Sequence, residues 1–224
     1  MEINVGKNIL SENRKIALEI KSILKEKSIF SIELLGSPGS GKTTIIESII
    51  EYYKNDYRIA VIEGDVASDV DSVRLEKYNI PVVLINTENL SSKCHMEANM
   101  IKGAMDKIDL NSIDILIVEN IGNLVCPASF DLGCQLRIVL LSLPEGSDKP
   151  MKYPLIFKNA NAVILSKYDL EKFAPFDFDN FNRNIKILNP DIEIFKLSAY
   201  QNINMNSFYD YISLEIKKFN SKDA

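Results

Sequence analysis

Short apolar runs recur along this chain, and between most of them lie stretches whose apolar positions return every three or four residues. SIELL (31–35), RIAVIE (58–63), PVVLIN (81–86), IDILIVE (113–119), LRIVLLS (136–142), NAVILS (161–166) and IEIFKLS (192–198) are brief and mostly β-branched. They predict buried strands. Residues 8–27 (NILSENRKIALEIKSILKEK) predict an amphipathic helix with Ile9, Leu10, Ile16, Ile20, Ile23 and Leu24 near one face. Residues 204–219 (NMNSFYDYISLEIKKF) predict a closing helix. Strands without polar alternation, joined by helix-length stretches, predict an α/β fold: a parallel sheet covered by helices on both faces. No repeat, low-complexity tract or linker interrupts the pattern, so 1–224 reads as one domain led by its N-terminal helix.

Composition narrows the function classes. The formal net charge is −5, an acidic balance that argues against a nucleic-acid partner. No apolar run approaches the roughly 20 residues of a membrane-spanning helix. The opening MEINVGKNILSENRK has no apolar signal core, so a cytoplasmic protein away from membranes is expected. Three widely spaced cysteines read as reduced thiols rather than a disulfide framework.

The first chemical motif is GSPGSGKT (36–43), a full match to G-x-x-x-x-G-K-[ST]. It follows the predicted strand at 31–35 and opens the helical stretch KTTIIESIIEYY, the context that such a loop requires. Backbone N–H groups of a loop of this kind point at phosphate oxygens, and the helix N-terminus adds positive potential. Gly36, Ser37, Pro38, Gly39, Ser40, Gly41, Lys42, Thr43 and Thr44 are therefore expected around a nucleotide's phosphates. Lys42 would reach the β and γ phosphates, and Thr43 would ligate Mg²⁺.

Two strand ends offer acids for that magnesium. RIAVIEGD ends in Asp65, and IDILIVEN carries Glu119. In a parallel sheet both ends lie on the phosphate edge. Glu119 opens ENIG, an acid-x-x-Gly string suited to sensing a γ-phosphate. Glu119 would orient water or magnesium, and Gly122 would offer its N–H. Asp69 and Asp71 stand near Asp65; the alternative reading, a solvated loop acid, weighs more for Asp69 than for Asp65 or Glu119.

LSKYDL (165–170) resembles the guanine-reading N-K-x-D motif, with Ser166 in the asparagine position. Asp169 can accept from guanine N1–H and the 2-amino group, which adenine lacks. Lys167 can lie over the base and brace the loop. Ser198 and Ala199 of LSAY stand after another strand, where backbone N–H groups can meet guanine O6. Ser166 lacks an asparagine's reach, so weaker base affinity is expected with the same base preference.

The strings NLSSKCHMEANMI, ENIGNLVCPASFDLG and PEGSDKPMKYP, joined to the P-loop, GD and S-K-x-D, closely resemble the hydrogenase nickel-incorporation GTPases, accessory proteins of [NiFe] hydrogenase. The likeness runs from about residue 5 to about residue 220. It implies a P-loop GTPase of the signal-recognition and cell-division-ATPase class, with slow GTP hydrolysis, GTP-dependent homodimerisation and an interfacial metal. It also implies other maturation proteins as partners, a nickel-binding accessory protein among them. The family's metal falls on Cys94, His95 and Cys126, as Zn²⁺ or Ni²⁺, beside a magnesium on Thr43, Asp65 and Glu119. Read without the family, a thiolate and an imidazole side by side are too few for tight binding. Cys126 would be the third ligand if the loop after Glu119 folds back to Cys94. Cys134 is expected in the core or on the surface.

This chain departs from the family in two respects. It has neither a histidine-rich stretch nor an N-terminal cysteine cluster, so nickel storage is not expected. Lys93 stands where members usually have glycine before the Cys–His pair. Alternatives are a urease-type nickel-insertion GTPase, whose Cys-Pro-His string is absent, a GTPase chaperone of cobalamin enzymes, and a nucleotide-binding regulatory module without useful turnover. Lys149 and Lys152 of PEGSDKPMKYP are candidates for meeting nucleotide or a partner subunit, or for a solvated loop without function.

Overall fold

In chain order the elements are α1 (Val5–Glu26), β1 (Phe30–Gly36), α2 (Lys42–Tyr53), β2 (Ile59–Asp65), β3 (Val82–Asn86), α3 (Ala98–Met105), β4 (Ile115–Glu119), β5 (Leu136–Ser142), α4 (Lys149–Lys152), α5 (Pro154–Lys158), β6 (Ala162–Ser166), α6 (Phe178–Leu188), β7 (Glu193–Lys196) and α7 (Met205–Ser221). They come from a computed structural model that describes residues 5–65, 74–88 and 94–221, with side chains from residue 8. Each of the seven apolar runs forms a strand. The strands make one parallel sheet in the order β3-β2-β4-β1-β5-β6-β7.

That order positions the site. The chain leaves β1 toward β2 on one side, and leaves β4 toward β5 on the other. The carboxyl ends of β1 and β4 therefore flank the crevice where the direction of winding reverses, the usual ligand position in such sheets. Gly36 ends β1 and Glu119 ends β4.

One face of the sheet packs Phe30, Ile32 and Leu34 against Ile46 and Ile49 of α2 and Phe208 and Ile212 of α7. The opposite face has two separate clusters, one under α1 and α3 and one under α5 and α6. Between them the middle strand turns polar: Ser31 and Glu33 are 0% and 1% exposed. Glu33 is ion-paired with Arg137 at 2.9 Å and accepts from Asn120 Nδ2 at 2.8 Å. Burial raises the Glu33 carboxyl's pKa, while Arg137 and Asn120 oppose the shift. A buried acid survives here because both of its oxygens have partners.

The N-terminal helix behaves as expected only from its second half. Ala17, Ile20 and Leu24 are buried, but Ile9 and Leu10 are 44% and 41% exposed. The helix docks from Asn13 onward. Asn13 Oδ1 accepts the Ala98 N–H at the start of α3 (2.7 Å), and Nδ2 donates to the Asp131 carbonyl (2.8 Å). No helix among the described residues is long and apolar enough to cross a membrane.

Candidate functional site: a phosphate cradle beside a thiol–imidazole cluster

Gly39 and Gly41 take left-handed φ angles of 72° and 97°, which turn the 36–43 segment around a concave floor before α2 begins. Above it lies a cavity of about 550 Å³. Lys42, Thr43, Asp65, Glu119, Gly122 and Lys167 all line it. An adjoining hollow of about 310 Å³ shares Gly41, Thr44 and Lys167 with the first and is lined by Ser166, Asp169, Ser198 and Ala199. The two compartments match the length and polarity of a nucleotide: a charged end at the helix N-terminus and a smaller, more apolar end. A wider groove of about 950 Å³ between α6, β7 and α7 lacks acids and a phosphate loop, so size alone does not select the site.

Inside the larger cavity the Thr43 hydroxyl lies 3.0 and 3.1 Å from the two oxygens of Glu119. Lys42 Nζ is 3.8 Å from Glu119 and 3.4 Å from the Ser37 carbonyl. Gly122 packs on the loop itself; a Cβ there would fall 2.9 Å from Pro38 N, so the sensor segment touches the phosphate loop only because this residue is glycine. Asp65 stands half-buried at the end of β2. Asp69, Asp71 and Lys93 lie outside the described residues.

Two residues of this cavity escape motif reading. Glu63 is 2% exposed and stands in register with Glu119 across the β2–β4 pair. Strand periodicity places it on the same face as Asp65, two positions on, which is the one signal that could have found it. Arg74 also lines the cavity. Its guanidinium pairs with Glu47 and lies 3.5 Å from the Thr44 hydroxyl. No motif announces it. The oxygen donors Thr43, Glu63, Asp65 and Glu119 suit a hard cation such as Mg²⁺.

In the smaller hollow, Ser166 is buried and its hydroxyl donates to the Ser40 carbonyl at 2.6 Å. The hydroxyl proton therefore braces the phosphate loop, while the side chain still lines the hollow. Lys167 adopts a left-handed conformation (φ 57°) that opens the turn carrying Asp169. Tyr168 N–H donates to the Leu197 carbonyl, which fastens this turn to the Ser198–Ala199 loop. Tyr200 lines the same hollow and is 88% exposed.

The cysteine–histidine question is decided by folding. Cys94, His95 and Cys126 offer ligand atoms that all lie within 4.8 Å of one another. Among the described residues this is the one such group of three that the structure assembles. Cys94 Sγ is 3.6 Å from His95 Nδ1. The His95 ring stacks on Phe130 with centroids 4.0 Å apart, and its Nε2 is 3.8 Å from a Glu97 oxygen. Burial lowers the His95 pKa, so the imidazole stays neutral and able to ligate. A hydrogen bond with the neighbouring Cys126 thiol raises the Cys94 pKa, helped by partial burial. Soft sulfur and imidazole donors in a close group suit Ni²⁺ or Zn²⁺.

The family described as CobW/HypB/UreG, nucleotide-binding domain, matches residues 31–196. The chain belongs to that family. The probable hydrogenase maturation factor HypB of Methanocaldococcus jannaschii is 35% identical over 216 residues, covering 96% of each chain. The crystal structure of HypB from Helicobacter pylori in complex with nickel superposes with a TM-score of 0.84 at 36% identity, covering 94% of this chain and 96% of that one. The signal recognition particle receptor FtsY of Elizabethkingia anophelis has a TM-score of 0.51 at 15% identity, over 81% of this chain and 64% of that one. That likeness is one of fold alone. It agrees with the P-loop architecture expected from the sequence.

Cys134 is no part of the cluster. It is packed beside the core under α1, and burial pushes its thiol pKa far up. Lys149 and Lys152 line neither nucleotide compartment. Lys152 pairs with Asp148, and Lys149 lies over the Tyr153 ring.

Proposed function

We propose that this protein is a GTPase that carries nickel and assists its insertion into the large subunit of [NiFe] hydrogenase. One observation bears most of the weight: the loop that leaves the nucleotide cavity after Glu119 and Gly122 brings Cys126 beside Cys94 and His95, which lie before α3. Membership of the family and the names of its full-length relatives support the same reading.

GTP fits with its phosphates on Gly36–Thr44, and Lys42 meets the β and γ oxygens. Asp169 accepts from guanine N1–H and the 2-amino group, while the Ala199 N–H would meet O6, because the Ser198 N–H already donates to the Ile203 carbonyl at 3.1 Å. Thr43, Asp65 and Glu119 would hold Mg²⁺, which neutralises charge on the β and γ oxygens when bound. Glu119 orients the attacking water, and Gly122 donates its N–H to the γ-phosphate. Slow hydrolysis is what the resemblance to the nickel-incorporation GTPases implies.

Nickel is cargo here. Three ligands leave a coordination position open for delivery or for a second chain. Cys94 and Val125 are exposed beside the cluster, which suits a face that meets another copy when GTP is bound. Such a homodimer would set two clusters opposite each other. A nickel-binding accessory protein of the same maturation set is the natural donor, in the cytoplasm.

The test combines metal analysis with sedimentation. Ni²⁺ or Zn²⁺ should promote dimerisation with a non-hydrolysable GTP analogue, and Cys94→Ala should remove that effect while leaving GTP binding intact, because linkage is reciprocal. Identical dimerisation of wild type and C94A with metal present rejects the interfacial metal.

A further inference from the structure

Asn123 lies between the two halves of the site and bonds to both. Its main-chain N–H donates to the Gly36 carbonyl at the start of the phosphate loop (3.1 Å), forming an isolated antiparallel bridge. Its side-chain Oδ1 accepts the Val125 N–H at 2.9 Å, immediately before Cys126. Its Nδ2 donates to the Cys94 carbonyl at 3.1 Å. The amide orientation follows from its partners: Val125 N–H needs an oxygen and the Cys94 carbonyl needs an N–H. One residue earlier, Gly122 rests against Pro38.

The turn after Asn123 is gripped from its other side. Arg137 Nη2 donates to the Pro127 and Phe130 carbonyls at 2.8 and 2.9 Å. Phe130 in turn supports the His95 ring. Arg137 is itself held by Glu33, which also binds Asn120 of the sensor segment. Asn123 is the member of this arrangement that touches the Cys94 backbone.

We propose that Asn123 is the positioning residue that brings Cys94 and Cys126 to one metal and ties their spacing to the nucleotide sensor. The physical reason is geometric. Cys94 and Cys126 come from different loops, and the side chain of Asn123 spans them with one bond to each. Its backbone is bonded to Gly36, so a shift of the sensor on the phosphates moves the same amide. This inference rests on the metal-centre reading of Cys94, His95 and Cys126.

Asn123→Ser isolates the contact. A serine hydroxyl can still accept the Val125 N–H in the local turn, but it is too short to reach the Cys94 carbonyl. The main-chain bond to Gly36 is untouched. Zn²⁺ and Ni²⁺ affinities are measured by competition with a chromophoric chelator, in the presence of GDP and of a non-hydrolysable GTP analogue. N123S should bind either metal roughly 10–100-fold more weakly than wild type, the usual effect of losing an outer partner of a ligand. Its affinity for both nucleotides and its thermal midpoint should match wild type. In wild type the metal affinity should differ between the two nucleotide states, and in N123S that ratio should move toward one. Wild-type metal affinity in N123S, with C94A already metal-free, overturns this inference alone. A ratio of one in wild type, or a ratio unchanged in N123S, overturns the tie to the sensor. A wild type that binds no metal overturns the metal centre as well.

Discussion

Thr43 donates its hydroxyl to Glu119, 3.0 and 3.1 Å from the two carboxylate oxygens, where the first turn of α2 meets the end of β4. The two residues are 76 positions apart, and both are at least nine-tenths buried. Glu119 thus already stands against the residue expected to hold magnesium, and Lys42 limits the cost of burying its charge.

Glu119→Gln should leave GTP bound and slow its hydrolysis. The amide keeps the size of the side chain and can still accept from Thr43, but it cannot carry the negative charge that orients water or magnesium. A loss of about 10²-fold in single-turnover rate is expected, the low end for a positioned acid–base group. Hydrolysis at the wild-type rate would remove Glu119 from the reaction. A wild type without measurable turnover would make the chain a binding module.

Ser166→Ala and Asp169→Asn should separate bracing from base reading. Ser166→Ala leaves the Ser40 carbonyl without its donor, a loss of about 1 kcal/mol, or roughly fivefold in affinity for GTP and ATP alike. Asp169→Asn should lower the preference for GTP over ATP, because an amide cannot accept twice from guanine. Competitive titration of a fluorescent guanine nucleotide reads both. An S166A variant that changes only the GTP/ATP ratio would mean that this hydroxyl reads the base.

Metal affinity should rise with pH through the neutral range. The Cys94 pKa is raised, so its thiol is protonated there and must lose a proton to ligate. The His95 pKa is lowered, so its imidazole is already neutral and competes with protons only at the acid end. Chelator competition at a series of pH values should therefore show protons released on binding between about pH 6 and pH 8, and C94A should release fewer. A pH-independent affinity over that window would exclude thiolate ligation by Cys94.

Arg137→Ala should be costly to the fold itself. It leaves Glu33 buried without its ion partner and frees the Pro127 and Phe130 carbonyls. Removing one member of such a buried pair costs about 3–5 kcal/mol. The thermal midpoint should fall by several degrees or more, and Glu33→Gln with Arg137→Met should recover part of the loss. A midpoint equal to wild type would mean that the pair is dispensable.

What the sequence decided by itself was local. Seven apolar runs became seven strands: the five inner ones are buried on both faces, where a short apolar stretch suffices, and the edge strands β3 and β7 are only part-buried. The P-loop was legible because its glycines, lysine and threonine are contiguous and act through their own backbone. Ile9 and Leu10 show the limit of periodicity: they share a helical face with Ile20 and Leu24, which are fully buried, yet they stay 44% and 41% exposed. Only the tertiary structure could set Glu63 beside Glu119, because their meeting follows from β2 pairing with β4. The same holds for Cys94 and Cys126, whose approach follows from the turn after Gly122 and the Asn123 and Arg137 contacts that fix it. Ser166 looked like a weakened base reader in the motif, and only the fold shows that its hydroxyl also donates to the Ser40 carbonyl of the phosphate loop. Spacing along a chain records which groups are present; the strand order β2-β4-β1-β5 decides which of them share a cavity.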